Sequence, residues 1–179
     1  GKETTKVLAA KGAHVIMGCR NLAKGESAMA EILKEQPGAS IEVLELNLAS
    51  LKNIADFSNK VKAKFNKLDF LINNAGIMAM PEGKTEDGFE SQFGVNHLGH
   101  WALTSHLMPL LKNGTEPRIV TVTSSAHHMT PVIKFSDPHL RKKYSPWRAY
   151  AQSKLANFYF SLGLSRKLAK ANSPIKSYS

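Results

Sequence analysis

Short apolar runs alternate with longer amphipathic stretches along this 179-residue chain. An apolar run of about four to eight residues suits a strand that is buried on both faces, and the amphipathic stretches suit helices that cover a sheet. The alternation therefore predicts an α/β fold with a doubly wound parallel sheet. No internal repeat, low-complexity tract or linker interrupts it, which favours one domain over residues 1–179.

Helix caps and breakers set the expected boundaries of these elements. Asn21 and Ser50 each precede an amphipathic stretch, where a short polar side chain can cap a helix. The stretch after Ser50 carries its apolar stripe at Leu51, Ile54, Phe57, Val61 and Phe65. The predicted strands are 13–19, 41–48, 68–72, 118–123 and 175–178. The predicted helices are 2–11, 21–35, the stretch after Ser50, 89–111 and 147–171.

The composition limits the classes of partner and compartment. The net charge is +10, but the lysines are dispersed along amphipathic stretches, and the basic runs at 141–143 and 166–167 lack interleaved aromatic residues. No nucleic-acid partner is therefore expected. No run approaches the roughly 18 apolar residues of a membrane span. The single cysteine, Cys19, and the lack of an apolar leader at the start favour an intracellular protein, cytoplasmic or at an organelle membrane.

Tyr150 and Lys154 place a phenol and an ammonium four residues apart in the last predicted helix. Side chains at that spacing share one face of a helix, and a nearby cation favours the phenolate form of tyrosine. The pair is a candidate for general acid–base chemistry, although the same spacing also occurs in ordinary amphipathic helices.

Other polar residues lie where a parallel sheet would bind a ligand. Ser124 and Ser125 follow the fourth predicted strand, where a hydroxyl can bond a substrate oxygen or simply cap a loop. Residues 73–76 (Asn-Asn-Ala-Gly) follow the third strand and suit a tight turn beside a ligand. Asn96 lies in the middle of a predicted helix, which indicates either a function or exposure to solvent.

Two other enzyme classes fit the sequence less well. No G-x-S-x-G motif accompanies the serines, so serine-hydrolase chemistry has little support. The histidines lack an H-E-x-x-H or cysteine-rich context, and no metal site is predicted. The histidines that this concerns are His97, His100, His127 and His128.

Taken together and in this order, the motifs resemble those of the short-chain dehydrogenase/reductase family, and most closely its retinol-dehydrogenase-like branch. The resemblance covers nearly the whole chain. It implies a Rossmann-like fold and an oxidoreductase that interconverts an alcohol and an aldehyde or ketone. The matching segments are GAHVIMGCRN (12–21), NNAG (73–76), VNHLGH (95–100), IVTVTSS (119–125) and YAQSK (150–154).

The resemblance implies a role for each catalytic residue. Tyr150 would exchange a proton with the substrate oxygen, which Ser125, rather than Ser124, would position and polarise. Lys154 would favour the phenolate and hold the nicotinamide ribose, and Asn96 would hold a water that links Lys154 to solvent. Hydride would pass directly to or from the nicotinamide, so that step belongs to the cofactor.

The residues after the first predicted strand indicate NADP(H), with NAD(H) as the less favoured cofactor. Folds that bind NAD carry an acidic residue at the end of the second strand of the family's sheet, whereas here Arg20 follows Cys19. A guanidinium can grip a 2′-phosphate, with weaker help from Asn21 and Lys24. Asn47 replaces the family's usual aspartate beside the adenine, and its amide oxygen can still accept a hydrogen bond. The further cofactor-binding residues that the resemblance implies are Gly1, Leu48, Asn74, Ala75, Gly76, Tyr150 and Lys154.

The resemblance also implies that the chain is cut at both ends. Of the family's glycine-rich phosphate loop only Gly1 would remain, and the family's first strand would lie between the strands at 13–19 and 68–72. Such a chain is expected to fold poorly in isolation and to lack activity. A non-catalytic binding or scaffold protein with the same fold is the alternative function.

The expected substrate is a small lipophilic alcohol or carbonyl compound, retinoid-like by analogy with the branch. A homodimer formed through the helices at 89–111 and 147–171 is a further expectation, and membrane anchoring is left open by the sequence. Four apolar residues are candidates either for the substrate pocket or for the core: Met78, Met80, Phe135 and Trp147.

Overall fold

The computed structural model describes all 179 residues, which divide into two compact units, Gly1–Asn47 and Leu48–Ser179. Both units combine parallel strands with helices, as the α/β prediction requires. The single domain over residues 1–179 stays a prediction. The strands are β1 (Val15–Cys19), β2 (Ile41–Glu45), β3 (Phe70–Asn73), β4 (Arg118–Thr121) and β5 (Lys176–Tyr178). The helices are α1 (Lys2–Ala10), α2 (Leu22–Glu35), α3 (Leu51–Lys64), α4 (Ser91–Phe93), α5 (Gly99–Lys112) and α6 (Pro146–Lys170).

In the first unit, α2 packs closely against the β1–β2 pair. The strands run parallel, with Val15 opposite Ile41. Asn21 caps α2, as predicted, because its side-chain oxygen accepts a hydrogen bond from the Lys24 amide at 3.0 Å. A Cβ atom at Gly25 would lie 2.7 Å from a Val43 methyl carbon, so only glycine permits this approach of helix to strand.

The second unit is built around the three-stranded parallel sheet β3-β4-β5. Its core contains Ile54, Leu111 and Ile119, each with 0% of its surface exposed. The third strand begins later than predicted and extends to Asn73, a buried polar residue. Helix α5 packs against β3, and α6 packs against β4 and β5. The carboxyl ends of β3 and β4 therefore lie next to helices that carry predicted site residues.

The apolar stripe predicted for α3 is largely correct but fails at its first member. Ile54, Phe57 and Val61 are buried, whereas Leu51 is 39% exposed. Leu51 occupies the first helical position, where its amide donates to the Asp87 carboxylate at 2.9 Å. Amides in the first turn have no partner within the helix, so this position serves the helix end rather than the core.

The helix predicted over 89–111 is interrupted by a π-helical segment, Gly94–Leu98, between α4 and α5. A π turn inserts one extra residue into the helical repeat and breaks the 3.6-residue register that the sequence pattern assumes. Directly after it, Gly99 lies against the backbone: a Cβ atom there would be 2.6 Å from the Leu48 carbonyl oxygen. None of the helices in the chain combines the length and apolar content that crossing a bilayer requires.

Replacement of two helical glycines of the second unit by alanine should change the free energy of unfolding in opposite directions. No atom lies within 4 Å of the position that a Cβ at Gly163 in α6 would occupy, so Gly163→Ala should raise the free energy of unfolding, by about 0.5–1 kcal/mol. Gly99→Ala should lower it by roughly 1–3 kcal/mol because the new carbon meets the Leu48 carbonyl oxygen. Urea unfolding of both variants measures this, and equal effects of the two substitutions would contradict it.

Candidate active site

Tyr150 and Lys154 lie on one face of α6. The helix starts at Pro146, whose fixed φ suits a first helical position. Tyr150 lies four residues and Lys154 eight residues further along the helix. The Lys154 ammonium nitrogen lies 5.8 Å from the centre of the Tyr150 ring. Tyr150 is half-buried, so its phenol stays accessible beside a fixed cation.

The Lys154 ammonium is held at the carboxyl end of β4. Lys154 is only 4% exposed, and its ammonium donates to the Val122 carbonyl oxygen at 3.0 Å. Asn157, one turn further along α6, donates to the same oxygen at 3.3 Å. Burial lowers the pKa of Lys154 because it penalises the charged form.

Asn96 is buried in the π-helical segment, which rules out the solvent-exposed reading of this residue. Its amide oxygen accepts from the Ile77 backbone N–H at 2.8 Å, and its amide nitrogen donates to the Ile77 carbonyl at 2.9 Å. The same nitrogen donates to the Ser153 hydroxyl at 2.9 Å, which donates in turn to the Tyr150 carbonyl at 2.7 Å. Asn96 thus joins the turn after β3 to the helix that carries Tyr150.

The turn after β3 leaves a gap beside these groups. Asn73 is buried and donates to the Thr104 hydroxyl at 3.1 Å, whereas the next three residues, 74–76, are exposed. A Cβ atom at Gly76 would lie 3.3 Å from the Asn96 amide oxygen and 3.6 Å from the Lys154 nitrogen. Glycine therefore keeps open the space in front of the Lys154 ammonium.

The two serines after β4 differ in their surroundings. Ser124 caps a short 3₁₀ helix, Ser125–Met129, and its hydroxyl oxygen accepts from the Ala126 N–H at 3.2 Å. Ser125 is exposed at the first position of that helix. The Ser125 hydroxyl is thus the more available of the two for a ligand.

His97 and His100 contact amide and carbonyl oxygens of neighbouring residues. Across the whole chain, no three His, Cys, Asp or Glu side chains gather into a group that could bind a metal ion. The His97 ring nitrogen lies 3.2 Å from the Asn157 amide oxygen, and the His100 Nδ1 lies 2.9 Å from the Asn96 carbonyl oxygen. Burial lowers the pKa of His97, and it lowers that of His100 to about 4, with a smaller effect from the Lys154 charge.

The residues predicted to bind the phosphates of the cofactor belong to the first unit. Arg20 is exposed directly after β1, and the Asn21 side chain is committed to the cap of α2. Gly1 is the cap residue of α1 and provides no side chain to the first amides of that helix. Asn47 lies after β2 at the end of this unit, and Leu48 is a buried residue of the second unit.

Three residues of this site were not predicted from the sequence. Ser153 links Asn96 to α6, and His127 binds the carbonyl of Ser124. Gln152, inside the Tyr150–Lys154 spacing, is buried and binds the loop before α6 through the Lys134 N–H and the Pro138 carbonyl. For Gln152, the signal in the sequence was a polar residue on a side of the predicted helix that neither carries Tyr150 nor faces solvent.

Comparison with known proteins assigns the family. The model of the short chain dehydrogenase family matches residues 1–177. The chain belongs to the short-chain dehydrogenase family. It is 44% identical to mouse retinol dehydrogenase 12 over 168 residues, which are 94% of this chain and 53% of that protein. Human retinol dehydrogenase 13 is also 44% identical, over 169 residues, with 94% of this chain and 51% of that protein covered.

Solved structures agree with this family assignment. An uncharacterised protein from Mycobacterium paratuberculosis superposes with a TM-score of 0.87 at 45% identity, over 99% of this chain and 61% of that one. A metagenomic short-chain oxidoreductase in complex with NADP has a TM-score of 0.76 at 21% identity, over 100% of this chain and 74% of that one, which is a likeness of fold. The family match and these structures confirm the prediction of a Rossmann-like α/β fold. The chain spans about half the length of the curated relatives it matches.

The buried His100 should make the stability of this short-chain dehydrogenase depend on pH. Its pKa is about 4 in the folded chain and 6.5 ordinarily, so the unfolded chain binds more protons between these values. The free energy of unfolding should therefore fall by on the order of 3 kcal/mol as the pH drops from 6.5 to 4.

His100→Gln removes this titration and should flatten that part of the curve, while His97 adds a smaller effect in the same direction. Urea unfolding at a series of pH values measures both proteins. A His100→Gln variant with the same pH dependence as the parent would show that His100 is not the group responsible.

Proposed function

We propose that this chain forms the cofactor-binding and catalytic part of an NADP(H)-dependent oxidoreductase that interconverts an alcohol and an aldehyde or ketone. The observation that carries the proposal is the buried Lys154 ammonium beside the accessible Tyr150 phenol, at the carboxyl end of a parallel strand. Open α/β sheets bind their ligands at this edge. The relatives named as retinol dehydrogenases support the same class of reaction.

Tyr150 acts in this proposal as the general acid and base. Its phenol donates a proton to the substrate oxygen during reduction and accepts one during oxidation. The Lys154 ammonium holds the nicotinamide ribose, and the Ser125 hydroxyl polarises the substrate oxygen as charge develops there. Asn96 supports a water that passes protons between Lys154 and solvent, as the family resemblance implies.

The space in front of Lys154 suits a nicotinamide ribose. An ammonium carries three N–H donors, and the hydrogen bond that the structure gives it is the one to the Val122 carbonyl. Gly76 keeps the adjoining space free, and Asn74 and Ala75, the exposed residues before it, are assigned to the same cofactor by the family resemblance. A nicotinamide cofactor supplies or accepts the hydride when bound.

Arg20 favours NADP(H) over NAD(H) in this proposal. Its guanidinium is exposed directly after β1, and no acidic residue stands there to repel a phosphate. The Asn21 amide nitrogen and the Lys24 ammonium add weaker contacts. The first amides of α1, which follow Gly1, suit the pyrophosphate because they receive no side-chain cap. Asn47 and Leu48 complete the proposed adenine side.

A lipophilic substrate fits the apolar side chains near Tyr150. The Trp147 ring meets the Tyr150 ring edge-on, with 6.2 Å between their centres, and Trp147 is 50% exposed. Met78 and Met80 follow the Ile77 segment that Asn96 holds, and they are 56% and 44% exposed. Because these side chains are exposed, they do not belong to the core. Phe135, which is 83% exposed, does not belong to it either. A retinoid-like substrate matches this surface.

A homodimer through α5 and α6 is part of the proposal. Trp101 on α5 is 55% exposed, and Tyr159 and Leu162 on α6 are 47% and 38% exposed. Large apolar side chains exposed on two helices are typical of an interface with another protein. The proposed protein is intracellular and acts on a small molecule rather than on a nucleic acid.

Removal of the Tyr150 hydroxyl should abolish turnover. Tyr150→Phe keeps the ring that contacts Trp147 but removes the proton that the reaction exchanges, so kcat should fall at least about 100-fold. Reduction of retinal by NADPH measures it in the chain extended to the length of its relatives, because the chain alone is expected to lack activity. Tyr178→Phe, at an exposed tyrosine of β5, is the control and should retain parent activity. Unchanged turnover in Tyr150→Phe would favour a non-catalytic scaffold protein instead.

NADPH should stabilise the chain more than NADH does. A ligand that binds only the folded state raises the melting temperature in proportion to the logarithm of its concentration over its Kd. Arg20→Ala should remove the difference between the two cofactors, whereas Arg148→Ala, at another exposed arginine, should keep it. Thermal melts with each cofactor test this. Equal shifts with both cofactors in the parent would contradict the NADP preference.

A further inference from the structure

The carbonyl of Ser124 receives two hydrogen bonds from one histidine. The His127 backbone N–H donates to it at 3.0 Å, and the His127 ring nitrogen Nδ1 lies 2.5 Å from the same oxygen. A carbonyl oxygen can only accept, so Nδ1 must carry the ring proton. This contact therefore fixes which way the ring faces, with Nδ1–H directed at the Ser124 carbonyl.

The same ring packs flat against the helix that carries Tyr150 and Lys154. The rings of His127 and Phe158 are stacked, with 5.5 Å between their centres and 4° between their planes. Phe158 lies four residues after Lys154, so both side chains project from neighbouring turns on one side of α6. The ring of His128 approaches His127 with 4.0 Å between centres. The His127 ring therefore contacts its own turn on one side and α6 on the other.

These contacts fix the short segment that presents Ser125. Ser124 contributes its carbonyl to His127 and its hydroxyl to the Ala126 N–H, so both of its acceptors are used within the turn. Ser125 stands between these bonded residues with an exposed side chain. The His127 ring connects the far end of this turn to α6 by its stacking on Phe158, and the Thr123 hydroxyl, which donates to the Lys154 carbonyl at 3.0 Å, connects the residue before the turn. His127 therefore helps to hold Ser125 in place relative to α6.

We propose that His127 is a positioning residue of the reaction described under Proposed function, on which this inference rests. Its Nδ1–H holds the Ser124 carbonyl, and its stacking on Phe158 holds the turn against the catalytic helix. Displacement of a reacting group by about 1 Å can reduce a rate by as much as 100-fold. The histidine therefore acts on kcat through Ser125 without touching the substrate.

Two variants separate the two contacts of the ring. His127→Phe keeps a flat ring on Phe158 but lacks the N–H, and His127→Asn keeps a side-chain N–H at nearly the Nδ1 position but lacks the ring. We expect His127→Phe to lower kcat about 10- to 100-fold with an unchanged KM for NADPH and an unchanged melting temperature, and His127→Asn to recover part of the loss. His106→Phe, at an exposed histidine of α5, is the control and should keep the parent kcat.

Parent kcat in His127→Phe, or a loss of kcat matched by a loss of stability, would overturn the inference. A second measurement does not depend on activity: ¹⁵N NMR of the histidine rings, assigned with His127→Phe, should show Nδ1 of His127 protonated. A bare Nδ1 would also overturn it. Absence of turnover in the parent, extended to the length of its relatives, together with a protonated Nδ1 would instead count against the proposed function while leaving the contact intact.

Discussion

The hydrogen bonds of one buried amide hold the site of the second unit together. Asn96 gives its oxygen and its nitrogen to the Ile77 backbone and its nitrogen also to the Ser153 hydroxyl. These partners are 19 and 57 residues away along the chain, so a single side chain fixes the turn after β3 against α6. An unpaired buried donor or acceptor costs about 1–3 kcal/mol, which makes any other arrangement of these segments less stable.

The π-helical segment is what brings that amide inward. An extra residue in the helical repeat rotates the residues that follow it, and it leaves the Asn96 carbonyl within 2.9 Å of the His100 ring. The bare Gly99 backbone then passes close to the Leu48 carbonyl, which a larger residue would prevent. Such single π turns inside α-helices often occur at functional sites, and here the turn contains a proposed catalytic residue.

Features fixed by neighbours in sequence could be predicted, and features fixed by distant contacts could not. The caps at Asn21 and Ser50 and the shared face of Tyr150 and Lys154 depend on local geometry alone. The burial of Asn96 depends on a π turn, which leaves the amphipathic pattern nearly unchanged and so gives no signal. The role of Gln152 depends on a loop 14 to 18 residues away, which no spacing rule specifies.

Two histidines, His97 and His100, lie on the same helical stretch that presents Asn96 to α6. Desolvation lowers the pKa of Lys154, His97 and His100 alike. Burial disfavours the charged form of all three groups. With a pKa of about 4, His100 is neutral at pH 7, and its Nδ1–H donates to the Asn96 carbonyl at 2.9 Å. The backbone of Asn96 is therefore held by an uncharged buried partner, just as its side chain is held by Ile77 and Ser153.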